Sequence, residues 1–144
     1  MTRIETTTLI QAPLPQVFKF VSDWQKWEEW FEGVSDFKPR SGILTGNGAR
    51  YAYKVKMMGI KTAVETEIHN YVPNAGWDGQ ATRGLPHQTH WIFTAQGNQT
   101  KVTYILEYEL PFPLVTSWMD SLIMKPQWQK ILNKSFDNLS KHFQ

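Results

Sequence analysis

Arg83 and His87 flank the loop Gly84-Leu85-Pro86, and a hairpin turned by those three residues makes them cross-strand neighbours on the inward face of a sheet. An arginine can bind a carboxylate or enolate oxygen, and a histidine beside it can shuttle a proton at neutral pH. Together they would form the start of a catalytic site for aldol-type cyclisation or dehydration. The plainer alternative leaves both side chains at a strand end, half in water.

Other chemistry-bearing residues are less suggestive. His87 and His90 are three apart in HQTH, a spacing that on a strand sends the rings to opposite faces, so no shared metal is expected. His69 and Asp78 alternate to the outer face, which makes Asp78 a poor general base. TGNGAR resembles a phosphate-cradling loop only in its glycines. It precedes a strand, so no helix N-terminus contributes its field, and a hairpin turn accounts for it. The sequence holds no Gly-x-Ser-x-Gly elbow, no dinucleotide fingerprint and no inward pair of carboxylates. Neither metal nor cofactor is expected.

The elements that must position these groups are legible from spacing. RIETTTLIQA is a strand by its β-branched content, and Pro13 opens a short helix in which Val17, Phe18 and Val21 share a face. From Gly33 to Pro111 the pattern is strands and tight turns. Met58-Gly59 turns one hairpin, which pairs Tyr53 with Val64, Tyr51 with Thr66 and Arg50 with Glu67. The Gly84-Leu85-Pro86 loop turns a second, placing Gly79 beside Trp91 and Ala81 beside Thr89. Gly97-Asn98 turns a third, with Phe93 opposite Val102, Trp91 opposite Tyr104 and His87 opposite Tyr108. All three put large apolar residues on one shared face, an agreement that a one-residue slip would destroy. Pro111 and Pro113 end the sheet. Beyond them Val115, Trp118, Met119, Leu122 and Ile123 form one apolar stripe, and Trp128, Ile131, Leu132, Phe136 and Leu139 form another, about two residues out of step. Pro126 lies between the stripes, so the reading is a short helix, a bend near Lys125 and a longer helix to about His142.

DWQKWEEW raises a separate question. Steps of three residues keep Trp24, Trp27 and Trp30 within roughly 120° of a second short helix, opposite Lys26, Glu28 and Glu29. That face must rest on something apolar, either as a structural wedge or, for one ring, at the mouth of a pocket.

At 144 residues the chain suits one domain, and folding buries roughly two thirds of the surface of such a chain. A net charge of +2, with the basic residues scattered, gives no footprint for nucleic acid or an anionic membrane. The absence of cysteine excludes disulfides and thiolate chemistry. The N-terminus lacks an apolar run of signal-peptide length, so the cytoplasm is the expected compartment. Aromatic residues make up 14% of the chain, seven of them Trp, more than a small core packs easily.

The order of strand, two short helices, antiparallel meander and long amphipathic C-terminal helix resembles the START-like (helix-grip, SRPBCC) superfamily. Within it the likeness is to the polyketide cyclase/dehydratase and lipid-transport branch. The residues that carry it are APLPQVFKFVSDWQKWEEW, FTAQGNQTKVTYILEYELP and KPQWQKILNKSFDNLSKHF. These patterns form the fold and hold no catalytic signature. The resemblance implies an α+β helix-grip fold: a curved antiparallel sheet of about six to seven strands around a long, Pro-kinked C-terminal helix, with two short helices after the first strand. It implies a hydrophobic cavity between sheet and helix, and functions ranging from lipid carriage to cyclisation.

The expectation is a single ligand-binding domain over residues 1–144 that holds a small or medium hydrophobic ligand (lipid, quinone or polycyclic aromatic). Strand parity offers Tyr51, Tyr53, Thr66, Ile68, Trp77, Trp91, Phe93, Tyr104, Leu106 and Tyr108 to it, and the helix offers Met119 and Ile123. Gly79 and Ala81 opposite larger residues would leave room, and Thr66, Thr89 and Asn70 would add polar groups. Two rival readings are a polyketide cyclase/dehydratase using Arg83 and His87 and a protein-interaction module. The expected partner is the hydrophobic ligand, not nucleic acid, with membrane contact at most transient and a homodimer left open.

Overall fold

The computed structural model describes residues 2–109 and 117–144. Its strands are β1 (Thr2–Ile10), β2 (Val34–Pro39), β3 (Arg50–Met57), β4 (Ile60–Val72), β5 (Gly76–Arg83), β6 (His87–Gln96) and β7 (Gln99–Tyr108). They form one seven-stranded antiparallel sheet in the order β1-β7-β6-β5-β4-β3-β2. β1 pairs along its whole length with β7, from Thr2 opposite Tyr108 to Ile10 opposite Thr100. The last hairpin therefore lies in the middle of one wing, held on both sides.

Two hairpins take the predicted register. Met58 and Gly59 adopt φ 51° and 79°, the paired positive angles of a two-residue turn, and Tyr53 faces Val64 while Arg50 faces Glu67. In the other, Phe93 faces Val102, Trp91 faces Tyr104 and His87 faces Tyr108.

The middle hairpin differs by two residues: Trp77 stands opposite Trp91, and Gly79 opposite Thr89. A two-residue slip keeps the side chains of the paired stretch, Gly76 to Gln80, on their predicted faces, so parity survives there where the partners do not. Gly76 anchors this register, because a Cβ there would lie 1.9 Å from the Trp91 carbonyl oxygen. The β5–β6 ladder ends at Gln80 opposite Gln88. Past a bulge, the end of β5 follows β4 alone and sets Arg83 against Glu65. Arg83 is exposed as a result, not inward and not opposite His87.

Helix α1 (Leu14–Val21) buries Val17, Phe18 and Val21. A 3-10 turn (Trp24–Lys26) leads into the one-turn helix α2 (Trp27–Trp30). Among the described residues the C-terminal helical stretch comprises α3 (Ser117–Met119), a π turn (Asp120–Met124) and α4 (Lys125–His142). The predicted bend thus takes the form of a π turn, in which the Lys125 N–H reaches back to the Asp120 carbonyl. Pro126 has no N–H to donate, so the wider turn forms where a regular helical bond is already missing. The turn also explains the phase break between the two stripes. Pro111, Pro113 and Val115 lie outside the described residues.

The α4 face made by Ile131, Leu132, Phe136 and Leu139 is buried, with the Phe136 ring edge-on to Trp91 at 6.0 Å and to Tyr104 at 6.4 Å. Polar ties fix its pose. Ser135 Oγ accepts from the Glu32 N–H at 2.8 Å, Asn138 donates to the Trp30 carbonyl at 3.1 Å, and Gln129 donates to Thr6 Oγ1 at 2.9 Å. Helix, β1 and the end of α2 are held as one wall. No described helix is long and apolar enough to cross a membrane.

Candidate functional site

Between the sheet and α4 lies a cavity of about 180 Å³. Its sheet side is made by Tyr51, Tyr53 and Val55 of β3, Val64, Thr66 and Ile68 of β4, Trp77 of β5, His87, Thr89 and Trp91 of β6, and Tyr104, Leu106 and Tyr108 of β7. Trp24, Trp27, Phe31, Met124 and Trp128 line it from the helices and the loop after α2.

Most of the predicted ligand residues therefore meet at one hollow. Three do not. Phe93 is buried but belongs to the packed end under α1, with its ring 5.1 Å from Phe18 and 5.5 Å from Trp77. Met119 is only partly buried and Ile123 is 40% exposed, and neither lines the cavity. The π turn rotates their stripe outward, leaving Trp118 and Leu122 at 63% and 70% exposure, and brings in Met124 instead. Asn70 also departs from expectation: with φ 52° it turns outward and donates to Asp78 at 2.8 Å.

The tryptophan triplet divides its work. Trp30 is 2% exposed and packs edge-on to Trp91, which is the wedge. Trp27 lines the cavity, donates its indole N–H to the Val21 carbonyl at 2.8 Å, and stacks on Phe31 and Phe37. Trp24 lines the cavity near Tyr51, with ring centroids 6.4 Å apart. Phe37 was missed by parity, because Val34 and Phe37 are an odd number apart. Asp36, at φ 54°, resets the alternation, and the VSDF stretch was the available signal, since Asp tolerates that conformation.

The polar groups have defined commitments. Tyr51 donates to the Leu44 carbonyl at 2.6 Å, and the hydroxyls of Tyr53 and Thr66 share a bond of 3.0 Å. Burial pushes Tyr51 up to about 12, with Tyr71 and Asp23 adding to it, and burial also raises Tyr53 and Tyr104. These phenols stay protonated near neutral pH and act as hydrogen-bonding groups rather than bases. Tyr108 donates to the carboxylate of Asp120, which is 4% exposed, and Thr2 donates to the same carboxylate at 2.6 Å. Burial and then Asp120 raise Tyr108 as well.

His87 Nδ1 lies 2.8 Å from the Leu85 carbonyl, which can only accept, so Nδ1 carries the hydrogen. Burial lowers the His87 pKa, partly opposed by that bond, and the ring is neutral near pH 7. The structure does not bring Arg83 to it; Arg83 is exposed and outside the cavity lining. Among the described residues there is no cluster of three or more His, Cys, Asp or Glu placed to hold a metal.

A curved sheet gripping a long helix around an apolar hollow defines the START-like class. The chain belongs to the polyketide cyclase/dehydrase and lipid transport family, whose model matches residues 1–144. No curated protein matches the sequence. Among solved structures, a Thermus thermophilus protein is similar with a TM-score of 0.85 at 18% identity, over 97% of this chain and 95% of that one. A START superfamily protein from Mycobacterium smegmatis gives a TM-score of 0.78 at 15% identity, over 98% and 96%. The major latex-like protein 151 of Panax ginseng gives 0.78 at 10% identity, over 99% and 97%. At these identities the likeness is one of fold.

Proposed function

We propose that this protein binds a small, ring-bearing apolar molecule between its sheet and α4. The observation that supports this reading is the hollow itself, walled by indole, phenyl and phenol rings and by few polar groups. Its size narrows the class. A cavity of roughly 150 Å³ accepts benzene, and drug-sized sites run from roughly 300 Å³ upward. About 180 Å³ therefore suits one or two fused rings, and a long acyl chain would require α4 or the π turn to move.

A thermal-shift screen against naphthalenes, naphthoquinones and fatty acids tests the reading. A ligand at a hundred times its Kd adds about 2.7 kcal/mol, or roughly 8 °C for a chain of this length. Bicyclic compounds should raise Tm and long-chain acids should do so less. If no apolar compound raises Tm, the reading fails.

A further inference from the structure

Several hydroxyls along the cavity are engaged within the protein. Tyr51 donates to the Leu44 carbonyl and Tyr108 to Asp120, while Tyr53 and Thr66 share a single bond in which one hydroxyl donates and the other accepts. His87 is different in kind. Its Nδ1 hydrogen is committed to the Leu85 carbonyl, so the neutral ring leaves Nε2 as a bare acceptor with no partner among the described residues. Its cross-strand neighbour cannot supply one, because the Tyr108 hydroxyl hydrogen is held by Asp120. Leu85, Leu106 and Met124 line the same cavity, as does the Thr89 side chain. An acceptor left unmatched beside a bound apolar ligand loses its water and gains nothing in return.

Trp128 adds a second unmatched group. Its ring centroid is 6.4 Å from that of Tyr108, and its buried indole N–H has no partner among the described residues. A ligand hydroxyl both donates and accepts, and it is the smallest group able to serve either need.

We propose that His87 is a specificity-determining residue: its Nε2 accepts a hydrogen bond from a hydroxyl on the ring-bearing ligand, so the site selects phenols and enols over ethers and hydrocarbons of the same shape. This rests on the ligand-binding reading above. No proton need be transferred; the hydroxyl remains on the ligand and the imidazole remains neutral. A hydroxyl-bearing ring keeps the Nε2 acceptor matched, whereas a methoxy group presents only acceptors and a methyl to it.

The experiment compares 2-naphthol with 2-methoxynaphthalene by isothermal titration calorimetry on the full chain, in wild type, His87→Leu and His87→Gln. Wild type should bind the naphthol about tenfold more tightly than the ether. His87→Leu should bring the ratio close to one while the ether still binds, and His87→Gln, which keeps an acceptor, should restore part of it. Equal binding of the two probes by wild type, or an undiminished ratio in His87→Leu, overturns the assignment and leaves the cavity reading standing. Failure of both probes to bind wild type overturns the cavity reading and the assignment with it. Should the leucine variant not fold, the wild-type ratio stands beside a long-range proton–nitrogen spectrum. There the His87 Nε2 resonance should move on adding 2-naphthol and not on adding the ether; an unmoved resonance with naphthol bound overturns the proposal.

Discussion

Gly79 and Thr89 face each other across β5 and β6, and a methyl group on the glycine would stand 2.4 Å from the threonine Oγ1 and 2.9 Å from Thr66 Cγ2. The space that glycine opens is thus occupied by two threonine side chains, and the ligand-sized hollow lies beyond them. Gly79→Ala should force Thr89 or Thr66 out of its rotamer and destabilise the fold by about 1–3 kcal/mol. Urea unfolding measures this. A midpoint unchanged from wild type would show that the threonines yield freely.

On the outer face one imidazole joins three strands. His90 sits 2.7 Å from Asp78 through Nδ1 and 3.1 Å from Glu107 through Nε2, and Asn70 donates to the other oxygen of Asp78. Burial works to lower the His90 pKa, but the bonds and charges of Asp78 and Glu107 outweigh it and the net shift is upward. For Asp78 burial works upward, and the bonds from Asn70 and His90 with the charges of His90 and His69 bring the net shift down. A raised histidine stabilises most below its unfolded value near 6.5, and that gain is lost as pH rises through the folded value. The lowered carboxylate stabilises above its usual range and loses this as pH falls. His90→Gln should therefore lower Tm by more at pH 6 than at pH 9. Equal losses at both would mean that the His90 charge adds nothing to the staple.

His87 has the opposite sign. Its pKa is lowered by burial, so below about 6.5 the unfolded chain takes up a proton that the folded chain resists, and folding stability falls on acidification. His87→Gln removes this penalty. Its Tm, relative to wild type, should be more favourable at pH 5 than at pH 8, measured by the same thermal melts.

Asp120 latches the π turn to the sheet through Tyr108 and Thr2. Asp120→Ala leaves the buried Tyr108 hydroxyl without its acceptor, a loss of about 1–3 kcal/mol. Amide exchange should quicken first across residues 117–128, where the latch acts, and only later in β6 and β7. Uniform quickening throughout the chain would contradict a local latch.

Much of the fold was legible because its signals are local. Met58-Gly59 and Gly97-Asn98 fix two registers through turn chemistry, and strand parity then sorts Tyr51, Thr66, Trp91 and Tyr104 to the hollow side without knowledge of the third dimension. What failed depended on distant contacts. The β5–β6 register is set by the approach of Gly76 to the Trp91 backbone rather than by the Gly84-Leu85-Pro86 loop, and with it the Arg83–His87 pairing dissolves. Met119 and Ile123 were misplaced because a π turn adds a residue to the helical period, and the sequence marks it only by Pro126 and by the offset between two apolar stripes. Phe37 was hidden by a single left-handed aspartate.

A ligand ring seated beneath α4 is directly visible by crystallography. A crystal structure of the protein soaked with naphthalene, which offers no polar group to a surface site, is the measurement. The account predicts planar density beneath α4, in contact with Tyr53, Trp91, Tyr104 and Trp128. Naphthalene found only on the outer surface, or a hollow closed by those same side chains with no density in it, would contradict it.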